Sequence, residues 1–296
     1  MGILRLFKDT FVQWNEDHAP RLGAAVAYYT VFSIGPLLII VIALASLIFG
    51  QETARDQILR QIQGLIGQQG AQFIAQAIDT TRRPSSNILA SLIGIGTLLL
   101  GALGVFGELK NSLNAIWGVE PKPGRGLKGL ILDRLLSFGM ILVTGFLLIV
   151  SLTISTSVTA IVSYFGGTLT ASPTAIEIAN FVLSFIVITI LFAFIFKYLP
   201  DAHVKWTNAL LGAALTSLLF AIGKFLIGFY LGRSQLASAY GAASSVIIVL
   251  VWIYYAAQIL FFGAEFTKVS AMKFGSGIIP DPDAQPIGEK HGTPTT

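Results

Sequence analysis

The chain has no cysteine. A disulfide framework, a thiolate metal site and thiol catalysis are therefore excluded. Charge is also scarce. Asp, Glu, Lys and Arg make up 11% of the residues, less than half of the about 25% typical of soluble domains. That leaves too little charge to cover a water-facing surface. The three histidines, His18, His203 and His291, lie in separate segments. None belongs to a HExxH pair, so no metal site is expected. The chain has no GxxxxGK[ST] loop, which removes ATP hydrolysis by that route. No catalytic constellation and no cofactor are expected, and the chain reads as a non-enzyme.

What is present is apolar: 54% hydrophobic residues and a mean hydropathy of +0.76. The apolar residues come in long blocks. A hydrocarbon core about 30 Å thick takes about 20 residues of helix to cross. Six blocks meet that length, at about 24–49, 87–109, 135–163, 175–197, 207–231 and 241–267. The expected fold is all-α: a polytopic membrane domain, residues 1–273, with six transmembrane helices and a mobile tail over 274–296. The third block exceeds what a span needs and should tilt or protrude.

Two further segments read as amphipathic. Ile3, Phe7, Phe11 and Trp14 fall at helical spacing with charges between them. They predict an interfacial helix rather than a cleavable leader. In the loop 50–86, Ile58, Ile62, Leu65 and Ile66 form one apolar stripe and Phe73, Ile74, Ala77 and Ile78 another, interrupted by Gly67 and Gly70. Two short helices on the outer surface are expected there. Orientation follows from the basic residues. With both termini cytoplasmic, the inner segments hold thirteen of the nineteen Lys and Arg, as the positive-inside rule requires. Arg82 and Arg83, directly before the second block, run against it. The net charge of +4 is thus assigned to the membrane face. The basic loop 120–134 has no interleaved aromatic, so no nucleic-acid partner is expected.

Polar groups inside hydrocarbon are the functional candidates. In the first span Tyr29, Ser33 and Pro36 share a face, and Pro36 removes a backbone hydrogen bond and should kink the helix. In the second, Thr97, Gly101, Gly104 and Glu108 share a face. In the fifth, Ala209, Ala213, Ser217 and Ala221 form a small-residue ridge for close helix packing. Lys224 falls in the arc of that ridge and should point into the bundle; the alternative is snorkelling to outer headgroups. In the sixth, Tyr254, Gln258, Phe262 and Glu265 share a face. Glu108 and Glu265 lie at similar depth and either line one inner vestibule or pair locally.

Several strings in this chain resemble a known family. Residues Ala24 to Pro36, read AAVAYYTVFSIGP, are similar to the opening signature of the YihY/BrkB family of bacterial inner-membrane proteins. The segments Leu113-Asn114-Ala115-Ile116-Trp117 and Lys197-Tyr198-Leu199-Pro200-Asp201, with Val204 and Trp206, resemble two further signatures. Tyr240-Gly241-Ala242, Trp252-Ile253-Tyr254 and Gly263-Ala264-Glu265 resemble the last. The resemblance covers roughly residues 20–270. It implies six spans in the bacterial cytoplasmic (inner) membrane. Its members have been called ribonuclease BN, virulence factors and transporters of lipid or lipopolysaccharide. The ribonuclease label fits poorly, because this chain has no clustered HxHxDH motif. Three readings stand: a transporter or lipid-translocating permease with a cavity lined by Tyr29, Ser33, Glu108, Lys224, Gln258 and Glu265; a non-transporting scaffold or envelope-assembly factor; and, last, a ribonuclease. Expected partners are membrane lipids, a lipid or anionic substrate, and a second copy of the chain.

Overall fold

The computed structural model describes residues 2–81, 88–124, 126–165, 173–233, 244–275 and 277–288. The described chain is mostly helical. In order, the elements are α1 (Ile3–Glu16), α2 (Ala19–Phe49), α3 (Gln51–Thr81), α4 (Ile88–Trp117), β1 (Val119–Pro121), α5 (Gly126–Phe165), α6 (Pro173–Tyr198), β2 (Ala202–His203), α7 (Trp206–Arg233), α8 (Ser244–Phe274), β3 (Ile279–Pro280) and β4 (Ala284–Pro286). Among the described residues, four stretches are long and apolar enough to cross a membrane: Ala19–Phe49, Phe181–Tyr198, Trp206–Leu226 and Ser244–Phe274. The second and third expected spans fall on α4 and α5. Much of the side-chain detail of these two helices lies outside the described residues. At 40 residues, α5 is about 60 Å long at 1.5 Å per residue, twice a bilayer core.

The bundle is centred on α2 and α8. Helix α2 packs on α4, α3 and α8, while α7 packs on both α6 and α8. Pro36 sits inside α2, which continues through it to Phe49. Ser33 is buried opposite Gly104 of α4, where an added Cβ would lie 3.6 Å from its hydroxyl. Helices α7 and α8 approach still more closely. A Cβ on Gly212 would fall 1.8 Å from Thr267 Oγ1, and one on Gly263 would fall 1.8 Å from Thr216 Oγ1. Each threonine hydroxyl donates to the glycine carbonyl one turn earlier in its own helix, at 2.7 Å for Thr216 and 2.9 Å for Thr267. The polar atom is thus satisfied and the bare glycine faces the neighbour, the small-residue packing that membrane helices favour.

Helix α3 is a hairpin. Its two arms meet at Gly67, whose φ of 75° and ψ of 176° break the helix. The guanidinium of Arg55 on one arm grips both carboxylate oxygens of Asp79 on the other, at 2.9 and 3.0 Å. Ala54, Ile58, Ile66, Ile74 and Ile78 are buried against Leu38, Val41, Ile42 and Ala45 of α2 and Ile248, Val249 and Trp252 of α8. The apolar stripes therefore seal against the bundle. Gly70, the other expected interruption, is helical.

The expectation of a mobile tail from residue 274 needs correction. The segment 277–288 crosses back over the loops at the opposite end of the bundle from α3. Strand β4 pairs antiparallel with β1, placing Glu120 opposite Gln285, and β3 pairs with β2, placing His203 opposite Ile279. Composition suggested a tail because the stretch is rich in Gly, Pro, Thr and Asp, with Pro280, Pro282 and Pro286 among the prolines. The same prolines favour extended backbone and reduce the entropy lost on docking. Residues 289–296 lie outside the described residues, as do Arg82, Arg83 and Tyr240-Gly241-Ala242.

The hinge gives a direct test. Gly67 occupies a backbone region open essentially to glycine, so Gly67→Ala should cost about 1–3 kcal/mol. Gly64→Ala, in a regular helical turn with nothing near its Cβ position, should be neutral or stabilising by up to about 1 kcal/mol. Unfolding by denaturant in detergent micelles checks both.

Candidate functional site

The end of the bundle that carries both described termini, termed here the near end, holds most of its buried charge. Lys110 leaves the α4 core with its side chain 4% exposed and its ammonium shared between two carboxylates. One belongs to Asp133 of α5. The other belongs to Asp201, 2.9 Å away in the α6–α7 loop. Asn114, one turn after Lys110, faces the same aspartate. Its amide donates to Asp201 Oδ2 at 2.9 Å, and its carbonyl oxygen accepts the Asp201 backbone N–H at 2.8 Å. Three separate segments are thereby fixed to one another. Burial weakens solvent screening, so the ammonium and the amide must replace the water that these carboxylates give up.

A second cluster ties α1 to α8. The Lys268 ammonium bonds Asp17, between α1 and α2, and lies 3.5 Å from Glu265 Oε2. Lys273 pairs with Asp9 of α1, and Phe7 packs on Phe262 and Phe266 with centroids 6.4 and 5.5 Å apart. The two clusters are linked through Trp117, whose Nε1 donates to the Ala264 carbonyl at 3.3 Å.

Glu265 is 0% exposed, and its carboxylate sits in the same cluster, beside Asp17 and Lys268. Two turns earlier on α8, both amide atoms of Gln258 are buried and unpartnered. This amide lies against Gly23 of α2, where a Cβ would come within 2.1 Å of Nε2. Ser112 Oγ of α4, Ser217 Oγ of α7 and Trp14 Nε1 of α1 are likewise buried and unpartnered. A cleft of about 200 Å³ at the α1–α2 elbow is lined by Asn15, His18, Pro20 and Arg21.

The residues singled out from sequence are distributed unevenly. Gln258 and Glu265 share one side of α8, and Ser33 meets Gly104. Pro36 and Glu108 are half-buried. Tyr29 is 45% exposed. Lys224 is exposed rather than turned into the bundle, because its neighbour Gly223 is the position that α8 covers, with Tyr255 closing over it. Among the described residues, Glu265 has Lys268 and Asp17 beside it, and Lys224 is not in that cluster. Ala209, Ala213 and Ser217 are buried and Ala221 is half-buried, while Gly212 and Thr216 make the closest contact. The surroundings of Gly101 and Thr97 lie outside the described residues. The pattern did not single out Lys110, Asp133, Asp17 or Lys268 as site residues. Each reads as an ordinary basic or acidic residue beside a span. The available signal was the repeated Gly-x-x-x-Thr at Gly212 and Gly263, together with the strings around Asn114 and Asp201.

Comparison with known proteins accounts for those strings. Residues 10–287 match the family described as "Virulence factor BrkB". The chain belongs to this family. It is 27% identical over 269 residues to a UPF0761 membrane protein of Verminephrobacter eiseniae, covering 86% of this chain and 59% of that relative. Over 276 residues it is 27% identical to one from Rhodospirillum centenum, covering 90% and 57%. Over 253 residues it is 28% identical to one from Pseudomonas aeruginosa, covering 84% and 58%. The chain thus spans less than two thirds of the length of these relatives. No solved structure matches it. The family assignment and the apolar helices together make this a multi-pass integral membrane protein. Three of the strings carrying the resemblance meet at the near end: Asn114 bonds Asp201, Trp117 bonds Ala264, and Lys197 Nζ bonds the Val204 carbonyl at 2.6 Å.

Two outcomes follow. Lys110→Ala leaves two carboxylates facing each other without their cation and should cost about 3–5 kcal/mol. Adding Asp201→Asn should recover part of that loss, read as a coupling energy in a double-mutant cycle. Asp9 lies in α1, outside the spans, and the hydrogen bond from Lys273 holds its carboxyl below the ordinary value of 3.8. A depressed carboxylate stabilises the fold above its unfolded value and loses that contribution as pH falls through the folded one. On the acid side, the Asp9–Lys273 link should therefore hold down through 3.8 and fail only below it. Lys273→Ala should move the Asp9 midpoint up toward the ordinary value in a carboxyl-carbon NMR titration, and an unmoved midpoint would contradict the assignment.

Proposed function

We propose that the chain crosses the bacterial cytoplasmic membrane six times, with both termini and the near end in the cytoplasm, and moves a lipid or other amphipathic anion across it. In this reading the near end is the closed inner gate. The proposal rests chiefly on the polar side that α8 keeps inside the bundle, where both amide atoms of Gln258 are buried and unpartnered and Glu265 is fully buried with the Lys268 ammonium 3.5 Å away. An unsatisfied buried polar group costs about 1–3 kcal/mol. A bundle that only had to stand would replace such groups with apolar ones. Retaining them fits helices that part to admit a polar headgroup, an ion or water. In this reading the chain is a non-enzyme. Membrane lipids are its surroundings, and a second copy of the chain would have to cover lipid-facing surface such as Tyr28, Tyr29 and Phe32.

A specific observation favours the second reading, a non-transporting scaffold: Lys268, Lys273 and Lys110 each have local carboxylate partners. Fluorescently labelled phosphatidylglycerol in proteoliposomes separates the two. Transport predicts that the protein accelerates exchange of the label between leaflets. It also predicts that Glu265→Gln and Gln258→Leu, both still folded, slow this by roughly tenfold, a barrier change of about 1.4 kcal/mol. Vesicles with and without protein behaving alike would remove the permease reading and leave the scaffold.

A further inference from the structure

The segment after α8 joins two loops that are distant in sequence. From the α4–α5 loop, Lys122 donates its backbone N–H to the Asp283 carbonyl at 3.0 Å and its ammonium to the Pro282 carbonyl at 2.9 Å. Ile287 returns an N–H to Gly118 at 2.9 Å, and Gln285 Nε2 bonds Glu120 Oε1 at 2.8 Å. From the α6–α7 loop, Asp201 accepts the Asp281 N–H on its carbonyl at 3.0 Å, and His203 Nδ1 lies 3.4 Å from Asp281 Oδ1. Asp201 thus faces two ways. Its side chain holds Lys110 and Asn114 in the buried junction, while its backbone holds the C-terminal segment. Any separation of the α4–α5 pair from the α6–α7 pair at this end must first break one of the two short ladders.

We propose that residues 277–288 are a latch, docked by β-pairing across the α4–α5 and α6–α7 loops, that must release before the near end can open. The proposal rests on the permease reading for its purpose, though the latch itself is a structural device that can be measured without transport. Its position suits regulation. The two ladders pair only two and three residues, so docking is weak beside the packing of the helices. Much of the segment is exposed and within reach of a competing strand or a modifying group.

The absence of cysteine makes a reversible test possible. Glu120 and Gln285 are register partners, and such pairs in an antiparallel ladder have Cα atoms about 5.5 Å apart, within the range of a disulfide. In full-length protein in lipid nanodiscs, Glu120→Cys with Gln285→Cys is oxidised and then reduced. Asp281→Pro with Ile287→Pro removes one N–H to each loop and releases the latch. The readout is amide hydrogen exchange over Leu109 to Trp117 and Glu265 to Ala271. The latch predicts roughly tenfold faster exchange in the released variant and slower exchange when the cross-link is closed, reversed by reductant. Unchanged exchange in a folded released variant overturns it. If that variant does not fold, a cross-link in each ladder decides alone, His203→Cys with Ile279→Cys being added at the register partners of the second, and equal rates oxidised and reduced overturn the proposal. Cross-link-dependent exchange without lipid movement in any variant would keep the latch and reject the permease reading.

Discussion

The near end of this bundle depends on how Asp201 is satisfied. A carboxylate at 3% exposure is tolerable only if its charge and its hydrogen-bonding capacity are met locally. Lys110 supplies the charge and Asn114 the directional bonds. Because these partners sit one turn apart on α4, they place the α6–α7 loop at a single height and rotation. That fixes where the Asp201 backbone presents itself to the C-terminal segment. Asp133 draws in α5 through the same ammonium. The apolar contacts hold the helices together, and this junction sets how their near ends meet.

A division of labour along the helices follows. At the far end, the α3 hairpin seals apolar residues over α2 and α8 and leaves little that can change. In the middle, Gly212 and Gly263 bring α7 and α8 into contact, with both threonine hydroxyls satisfied within their own helices. At the near end the interactions are ionic, short-range and shared. Lys268 stands between Asp17 and Glu265, and Lys110 between Asp133 and Asp201. Each cation serves two carboxylates, so moving either one away leaves a carboxylate without its charge partner, and these contacts hold the near ends in one arrangement. The unpartnered amide of Gln258 and the buried carboxylate of Glu265 lie on α8, the helix that both α1 and α2 clasp.

The sequence made the apolar blocks, the amphipathic stripes and the polar side of α8 legible, because each is a local periodicity that maps directly onto one helix. Gln258 and Glu265 are seven residues apart and fall on one side of α8 wherever that helix packs. Relations between elements were less legible. Lys224 lies in the arc of the small-residue ridge, yet the rotation of α7 is set by Gly212 and Gly223, which turn that arc partly outward. The C-terminal segment is rich in Gly, Pro and Asp, the composition of a tail, and its pairing partners lie about 80 and 165 residues earlier in the chain. No local pattern encodes such pairing. Lys110 and Asp133 read as membrane-flanking charges, and only the folded arrangement places them on one aspartate. Family strings around Asn114, Asp201 and Ala264 marked the right places without saying that they touch.

Sidedness tests the proposed orientation, in which the ion-knit near end faces the cytoplasm and the α3 hairpin faces the opposite side. In a chain without cysteine, one cysteine at a time reports this cleanly. Gln68→Cys, beside the hairpin hinge, and Lys122→Cys, beside the latch, would each be treated with a membrane-impermeant maleimide in intact cells whose outer membrane admits the reagent. The account predicts that Gln68→Cys is labelled directly and that Lys122→Cys is labelled only after the cytoplasmic membrane is breached. Labelling of Lys122→Cys from outside, or of both positions from the same side, would contradict it.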